Sequence, residues 1–147
     1  MEVDTSVLRE MIKNTLRLMN SAETQAYSLA TYFQTVIKAR TPKKTGKTAA
    51  SWTIHYHKTT DSVTWEIRPD GRESEVAFLE FGTKPHVIEP HGEALKFEVG
   101  GDTIYARKVY HPGTKPLGFV RITQDDLDKS AREIAERLLA HIQHLWA

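Results

Sequence analysis

The chain contains no cysteine, which excludes disulfide bonds and thiolate metal ligands. It also lacks any window close to the ~20 apolar residues that a membrane-spanning helix needs, so no membrane association is expected. The net charge of +1 gives the molecule as a whole no preference for nucleic acid or an anionic surface. The first ten residues include acidic side chains and no apolar run, so we expect no signal peptide. The length of 147 residues favours a single globular domain spanning residues 1–147.

The sequence also lacks the usual signatures of catalysis. It has no G-x-S-x-G nucleophile turn, no G-x-x-x-x-G-K-[ST] or G-x-G-x-x-G phosphate loop, and no H-E-x-x-H zinc motif. Its paired carboxylates occur as charges on predicted helix faces, where solvation is their usual role. We therefore expect no enzymatic activity and no cofactor.

Seven histidines keep one alternative open, a metal-dependent enzyme. Its ligands would be His86, His91 and His111. A zinc site requires three or four such side chains to converge, and the spacing of the histidines forms no sustained ligand motif. We therefore expect scattered surface and packing histidines and no bound metal.

Residues 6–40 are predicted to form one long helix. Apolar side chains recur there at i, i+3 and i+4, which is the pattern of an amphipathic helix. Asp4, Thr5 or Ser6 is expected to cap its start, and Pro42 to end it. Such a helix is about 50 Å long, more than a globule of this size usually needs, so we expect it to pack on a neighbouring subunit.

The rest of the chain alternates strands with two shorter helices. A loop is predicted at 39–50 and a hairpin at 51–68, in which Trp52, Ile54 and Tyr56 share one face and Val63, Trp65 and Ile67 share another. A short helix follows at 74–82, with Ser74 as cap and Gly82 at its end. Further strands are predicted at 86–89, 94–99 and 103–111, before a loop at 111–118. Gly100-Gly101-Asp102 predicts a hairpin turn between the last two of these strands.

The last helix is predicted to start at Thr123 as its cap and to run to about Leu145. Asp125, Asp126 and Asp128 then occupy its first turn, where the helix dipole favours acids. This order of elements predicts the α+β class: a long N-terminal helix, a mostly antiparallel β-sheet with a short helix inserted, and a C-terminal helix.

A basic cluster lies where the long helix ends. Residues 38–47 contain five basic side chains: Lys38, Arg40, Lys43, Lys44 and Lys47. Cations suit a helix C-terminus, which accounts for the cluster structurally. The functional alternative is a nucleic-acid-binding module that uses these side chains on phosphates, although no aromatic residues are interleaved with them.

The tetrapeptide Gly-Thr-Lys-Pro occurs twice, at 82–85 and 113–116. Glycine permits a positive φ, and the residue before a proline is held extended, so both copies predict sharp turns with exposed lysines. The sequences flanking the two copies differ, and no other register aligns them. We therefore do not interpret them as a sequence repeat.

Several blocks taken together are more specific than any one of them. They are Thr41-Pro42-Lys43-Lys44-Thr45-Gly46, Ser51-Trp52, Ala77-Phe78-Leu79-Glu80-Phe81-Gly82-Thr83, the segment HVIEP, the strand ALKF, and Val109 to Thr114 with His111-Pro112-Gly113-Thr114 at its end. In this order the blocks resemble the tail-completion or neck proteins of long-tailed bacteriophages and prophages. The match covers about residues 25–120. Members of that family often follow HPGT with a Pro-Phe pair, whereas here Phe119 is retained without the preceding proline.

The resemblance implies a structural virion protein at the head–tail junction, assembled in the host cytoplasm. It implies a ring that joins the connector to the tail tube, with about six subunits or, alternatively, about twelve. Its partners would be further copies of itself and other neck and tail proteins, with DNA passing through the lumen as a weaker expectation. We expect three loops, TPKKTGK, FGTKP and HPGTKP, to cluster and to contact adjacent subunits or neck partners. The residues expected at this contact are Lys43, Lys44, Thr45, Gly46, Phe81, Gly82, Thr83, Lys84, Pro85, His111, Pro112, Gly113, Thr114, Lys115 and Pro116.

Overall fold

Residues 5–147 are described by a computed structural model of the protein, and they confirm the α+β class. The chain divides into two compact units, which we describe one at a time. The first unit takes the residues up to Glu73 together with Phe119–Ala147, and the second is Ser74–Gly118. A compact unit is not by itself an independently folding domain, so the expectation of a single domain stays a prediction.

The described helices are α1 (Ser6–Arg40), α2 (Lys47–Ala50), α3 (Glu73–Phe81) and α4 (Phe119–Trp146). The strands are β1 (Trp52–Lys58), β2 (Val63–Pro69), β3 (His86–Ile88), β4 (Leu95–Val99), β5 (Asp102–Ala106) and β6 (Val109–His111). The described strands form three two-stranded antiparallel sheets, β1–β2, β3–β6 and β4–β5, rather than one continuous sheet.

Helix α1 has the predicted bounds and the predicted C-terminal end, but the predicted side-chain cap at its start is not formed by Thr5. Thr5 stands at the N-cap position and makes no side-chain capping hydrogen bond. Of the other two candidates, Ser6 is the first residue of the helix and Asp4 lies outside the described residues. At the C-terminus Thr41 turns to an extended conformation (φ −68°, ψ 127°), as expected for the residue before Pro42.

Helices α1 and α4 pack against each other in antiparallel directions. Trp146 Nε1 donates to Thr15 Oγ1 (3.1 Å) at one end, and Arg40 contacts Asp126 (2.7 Å) at the other. On each helix the less exposed positions recur at intervals of three or four residues, as in a coiled-coil seam. In α1 they include Met11, Thr15, Leu18, Ala22, Gln25, Leu29, Phe33 and Val36; in α4 they include Thr123, Leu127, Ser130, Ile134, Leu138, Ile142 and Leu145.

The start of α4 corrects the prediction for the last helix. The helix begins four residues early, at Phe119, and Thr123 lies inside it instead of capping it. The Thr123 hydroxyl donates to the carbonyl of Phe119 (2.7 Å) and accepts from Arg40 Nη1 (3.0 Å). Phe119 and Thr123 are both buried, so packing of the first turn sets the helix start and the predicted acidic first turn is wrong.

The hairpin β1–β2 covers the C-terminal half of α1 with its apolar face. Cross-strand pairing sets Ile54 against Ile67 and Tyr56 against Trp65, so the two predicted apolar sets share a single face. The Trp65 ring lies between Tyr56 and Tyr27 of α1, at centroid distances of 4.5 and 4.7 Å. This aromatic contact fixes the hairpin on the helix.

Two shorter predictions are also corrected. Residues 47–50, predicted as part of a loop, form helix α2, and α3 begins at Glu73, one residue before the predicted cap Ser74. The strand predicted at 103–111 is split into β5 and β6, which pair with different partners. The hairpin turn predicted at Gly100-Gly101 is confirmed, and both glycines have positive φ.

The side chain of Thr41 connects the end of α1 to the start of β1. It is 1% exposed; its hydroxyl donates to the Ile37 carbonyl (2.7 Å) and accepts from Trp52 Nε1 (2.9 Å). Thr41→Val leaves that buried indole donor unsatisfied, so we expect a loss of about 1–3 kcal/mol in the free energy of unfolding, measured with denaturant.

Thr41→Ser is the matched control, because it keeps both hydrogen bonds and removes one methyl group. Its expected cost is about 1 kcal/mol, less than the cost of Thr41→Val. Equal stability of the valine and serine variants would contradict the hydrogen-bond account.

The polar face of the β1–β2 hairpin holds the Asp70 carboxylate in a network of hydrogen bonds. Asp70 accepts from Thr53 Oγ1 (2.6 Å), lies 2.9 Å from His55 Nε2 and accepts from Arg68 Nε (3.2 Å). The Thr53 hydrogen bond, followed by the His55 and Arg68 contacts, holds the pKa of Asp70 below its ordinary value of 3.8. A depressed carboxyl pKa stabilises the fold above the unfolded pKa, so this contribution is lost as the pH falls below about 4.

Removing the Thr53 hydroxyl with Thr53→Val is expected to raise the pKa of Asp70 towards 3.8, as followed by NMR titration of its carboxyl carbon. Thr60→Val, in the turn of the same hairpin, is the control. An Asp70 pKa that is unchanged by Thr53→Val would show that this hydrogen bond is not the main cause.

Candidate interaction site

The two Gly-Thr-Lys-Pro segments meet each other within the second unit. Thr83 and Thr114 form an antiparallel bridge, in which each backbone N–H donates to the other's carbonyl at 3.1 and 3.0 Å. Each N–H also lies 3.1 Å from the partner's hydroxyl, and the two hydroxyl oxygens are 3.1 Å apart. The contacts are reciprocal, so the segments are related by a local two-fold arrangement. We call Gly82–Thr83 together with Gly113–Thr114 the threonine clasp.

The glycines are what allow the clasp to close. Gly82 and Gly113 have φ of 72° and 84°, in the left-handed region. A Cβ atom would stand 2.4 Å from the Thr114 carbonyl oxygen at Gly82, and 2.2 Å from the Thr83 carbonyl oxygen at Gly113. Both distances are too short for any side chain, so the two backbones approach this closely only with glycine at both positions.

The clasp continues in register into the β3–β6 ladder. His86 lies three residues after Thr83, and His111 lies three residues before Thr114. Since His86 pairs with His111, the bridge and the ladder share one register. Pro85 and Pro112 occupy the opposing positions between bridge and ladder. Because proline has no N–H to donate, the ladder is interrupted there.

A second set of backbone contacts ties the clasp to α3. Leu117 N–H donates to the Leu79 carbonyl (3.0 Å), and Gly118 N–H donates to the Glu80 carbonyl (3.2 Å). The last carbonyls of a helix have no partner within the helix, and here the 113–118 segment satisfies two of them. The predicted end of this helix at Gly82 is confirmed.

The paired histidines at the ladder have opposite hydrogen-bonding roles. The His86 and His111 rings are stacked, with centroids 5.0 Å apart. His86 Nδ1 lies 2.8 Å from the Lys84 carbonyl and so acts as a donor, whereas His111 Nδ1 accepts from Gly113 N–H (3.0 Å). Within residues 5–147 no group of three or more metal-ligating side chains comes together.

The clasp presents its flanking side chains to solvent. Phe81 is 77% exposed, and Lys84, Pro85, Lys115 and Pro116 are exposed as well. The glycines and threonines therefore build a rigid backbone pair, while the aromatic ring, lysines and prolines around it remain accessible. This division suits an interaction surface better than an enclosed site.

The third predicted loop belongs to the first unit. Lys43, Lys44 and Thr45 lie between α1 and α2, and Gly46 adopts φ 74° at the start of α2. Arg40, counted in the basic cluster, is held by Asp126 and Thr123, whereas Lys43, Lys44 and Lys47 are exposed. The contact of this loop with a partner stays a prediction.

Two exposed apolar surfaces were not among the site residues predicted from the sequence, although helix α1 as a whole was expected to pack on a neighbouring subunit. One is a row on α1, Leu8, Ile12, Leu16 and Met19, each 47–61% exposed. The other is a face of the β4–β5 hairpin that carries Phe97, Val99 and Ile104, at 36–54% exposed. The signal for the first was present in the sequence: the apolar positions of α1 cover a wider arc than one packing seam needs.

No model of a known protein family, no curated protein and no solved structure matches the chain significantly. Among the described helices, none combines the length and apolar character that crossing a membrane requires.

Replacing either clasp glycine is expected to disrupt the second unit. Gly82→Ala and Gly113→Ala each place an alanine in the left-handed region, which costs about 1–2 kcal/mol, and add a clash with the backbone of similar cost. We therefore expect the stability of the second unit to fall by about 3 kcal/mol. The measurement is hydrogen exchange of the Thr83 and Thr114 amides by NMR, which should accelerate.

Gly100→Ala is the matched control in the same unit. Gly100 also has a positive φ (60°), but nothing lies within 4 Å of the added Cβ. Gly100→Ala should therefore add the strain of the left-handed conformation without a backbone clash. If it accelerates exchange at Thr83 and Thr114 as much as Gly82→Ala does, close approach is not what makes the clasp depend on glycine.

Proposed function

We propose that this chain is a structural subunit of the neck of a long-tailed bacteriophage or prophage. It assembles as a ring of about six or about twelve copies that joins the connector to the tail tube, at the head–tail junction of the virion. In this role it binds neighbouring subunits and neck partners and performs no catalysis.

The observation that carries the proposal is the threonine clasp. The resemblance to neck proteins rests on separate sequence blocks, and two of these, AFLEFGT and HPGT, supply the two halves of the clasp. In each block the glycine allows the two backbones to approach closely, and the threonine makes the reciprocal hydrogen bonds of the clasp. If the two short motifs, about thirty residues apart, matched the family only by chance, they would not be expected to contact each other in the fold.

Exposed apolar side chains support an assembly role further. Among the described residues, twenty large hydrophobic side chains are exposed and only seven hydrophobic residues are buried. Exposed apolar residues scattered singly are normal, but continuous rows of them mark surfaces that meet another protein. Both units carry such rows, so a subunit that binds neighbours through each of its units fits this chain.

The proposal is tested by inactivating the gene in the genome that encodes it and examining the induced particles by electron microscopy. We expect filled heads and separate tails that do not join, with joining restored by the wild-type chain supplied in trans. Normal yields of joined particles from the inactivated genome would overturn the proposal.

The same complementation assay tests the exposed lysines beside the clasp. Lys84→Glu with Lys115→Glu reverses the charge presented to a neighbour, and we expect the yield of joined particles to fall at least about tenfold, equivalent to ~1.4 kcal/mol. Lys58→Glu, on the exposed end of β1, is the matched control and should complement normally. Full complementation by the doubly reversed variant would remove these lysines from the interface.

A further inference from the structure

We infer that adjacent copies of the chain join through two different surfaces: the exposed apolar row of α1 on one copy and the apolar face of the β4–β5 hairpin on the next. This inference rests on the proposed function for its biological meaning, since it supplies the contact that would link ring subunits. Four observations support it. Both surfaces are apolar, they match in length, and they carry opposite charges at their edges. In addition, like charges disfavour pairing of α1 with α1 of a second copy.

The first surface is the helix row Leu8, Ile12, Leu16 and Met19. Spacings of four, four and three residues place these side chains on one face of α1. This row lies beside the seam that packs on α4, and its members remain 47–61% exposed. The aromatic contact between hairpin β1–β2 and α1 is at Tyr27, beyond the row, so it leaves the row uncovered.

The second surface is one face of the β4–β5 hairpin. The register pairs Leu95 with Ala106, Phe97 with Ile104 and Val99 with Asp102, so five apolar side chains share one face. The opposite face carries Lys96, Glu98, Thr103 and Tyr105. A two-stranded hairpin with one apolar face needs a covering partner to be stable in water, because an isolated hairpin is only marginally stable.

The two surfaces match in length. The row from Leu8 to Met19 spans about 16 Å at 1.5 Å per residue. A strand of β4 from Leu95 to Val99 spans about 13 Å at 3.3 Å per residue. The hairpin face can therefore cover the row almost end to end.

Charge selects this pairing. Beside the row on α1, Arg9, Lys13 and Arg17 recur every four residues and form a basic row on the adjoining face. On the hairpin, Asp102 follows the Gly100-Gly101 turn and pairs with Val99, so its carboxylate lies at the free end of the apolar face, while Glu98 lies near the same end on the opposite face. Complementary charges around an apolar centre give association its register and suppress wrong partners.

The same charges disfavour the simplest alternative, in which α1 pairs with α1 of a second copy. A symmetric antiparallel pairing of the two apolar rows sets the basic rows Arg9, Lys13 and Arg17 of both copies on the same side of the contact. Like charges at such distances are destabilising. A contact between unlike surfaces is heterologous, so it leaves each copy free to bind a further copy and can close into a ring.

The absence of native cysteine makes a direct test available. One protein carries Ile12→Cys, a second isotope-labelled protein carries Ile104→Cys, and the concentrated mixture is treated with a short bismaleimide. We expect a mixed cross-linked dimer, identified by mass spectrometry, in at least about tenfold excess over the mixture in which Thr103→Cys, on the opposite hairpin face, replaces Ile104→Cys. A chain carrying both Ile12→Cys and Ile104→Cys should give a ladder of higher oligomers.

Three outcomes would overturn the inference: Ile12→Cys cross-linking mainly to itself, the double variant reacting only within one chain, and equal yields with Ile104→Cys and Thr103→Cys. As a second measurement, Val99→Asp should raise the dissociation constant from sedimentation at least about tenfold, whereas Tyr105→Asp on the other face should leave it within about twofold. Equal effects of the two variants would count against the apolar face.

These experiments use purified protein alone, so they separate the two proposals. Failed cross-linking alongside unjoined heads and tails in the gene-inactivation experiment would reject this interface and leave the neck function standing. Heterologous cross-linking alongside normal particles would support the interface and reject the neck function.

Discussion

The second unit depends on one constraint, the absence of a Cβ atom at Gly82 and Gly113. With glycine at both positions, the backbones approach until each carbonyl occupies the space that the other segment's side chain would need. The reciprocal hydrogen bonds of Thr83 and Thr114 then join segments about thirty residues apart in sequence. From this point the ladder to β3 and β6 runs in one direction and the contacts to α3 in the other, so the placement of every nearby exposed side chain follows from the clasp.

The first unit depends on α1 in a comparable way, because this helix presents two apolar faces. One face packs on α4, and the second is covered in its C-terminal half by the β1–β2 hairpin, through the aromatic contact between Tyr27 and Trp65. Near its N-terminus a second apolar row is left over, since the hairpin contact lies farther along the helix. A helix longer than its own unit can cover is a costly feature in a monomer, and it becomes useful when a second chain provides the missing cover.

The sequence predicted the helices and strands well where local chemistry decides them. The bounds of α1 follow from apolar periodicity and Pro42, and the ends of α3 and of the β4–β5 hairpin follow from glycines with positive φ. Prediction failed where packing between distant segments decides. Thr123 has the chemistry of a cap, but burial of Phe119 starts α4 one turn earlier, and the strand at 103–111 divides because its two halves find different partners.

At the candidate site, too, local features were predictable from the sequence and contacts between distant segments were not. For the two Gly-Thr-Lys-Pro segments, the positive φ of the glycines and the exposure of the lysines were predicted correctly, but the segments form an antiparallel bridge and not two separate turns. They were not interpreted as a sequence repeat, since their flanks differ. What the sequence did not reveal is that the segments pair with each other. In an antiparallel bridge between two copies of a tetrapeptide, only the central residue pairs with its own equivalent, here Thr83 with Thr114. The flanking residues of one copy face different residues of the other, so the pairing requires no similarity between the flanking sequences. Duplicated short segments containing glycine and threonine are therefore worth testing as partners of each other before they are interpreted as two separate ligand loops.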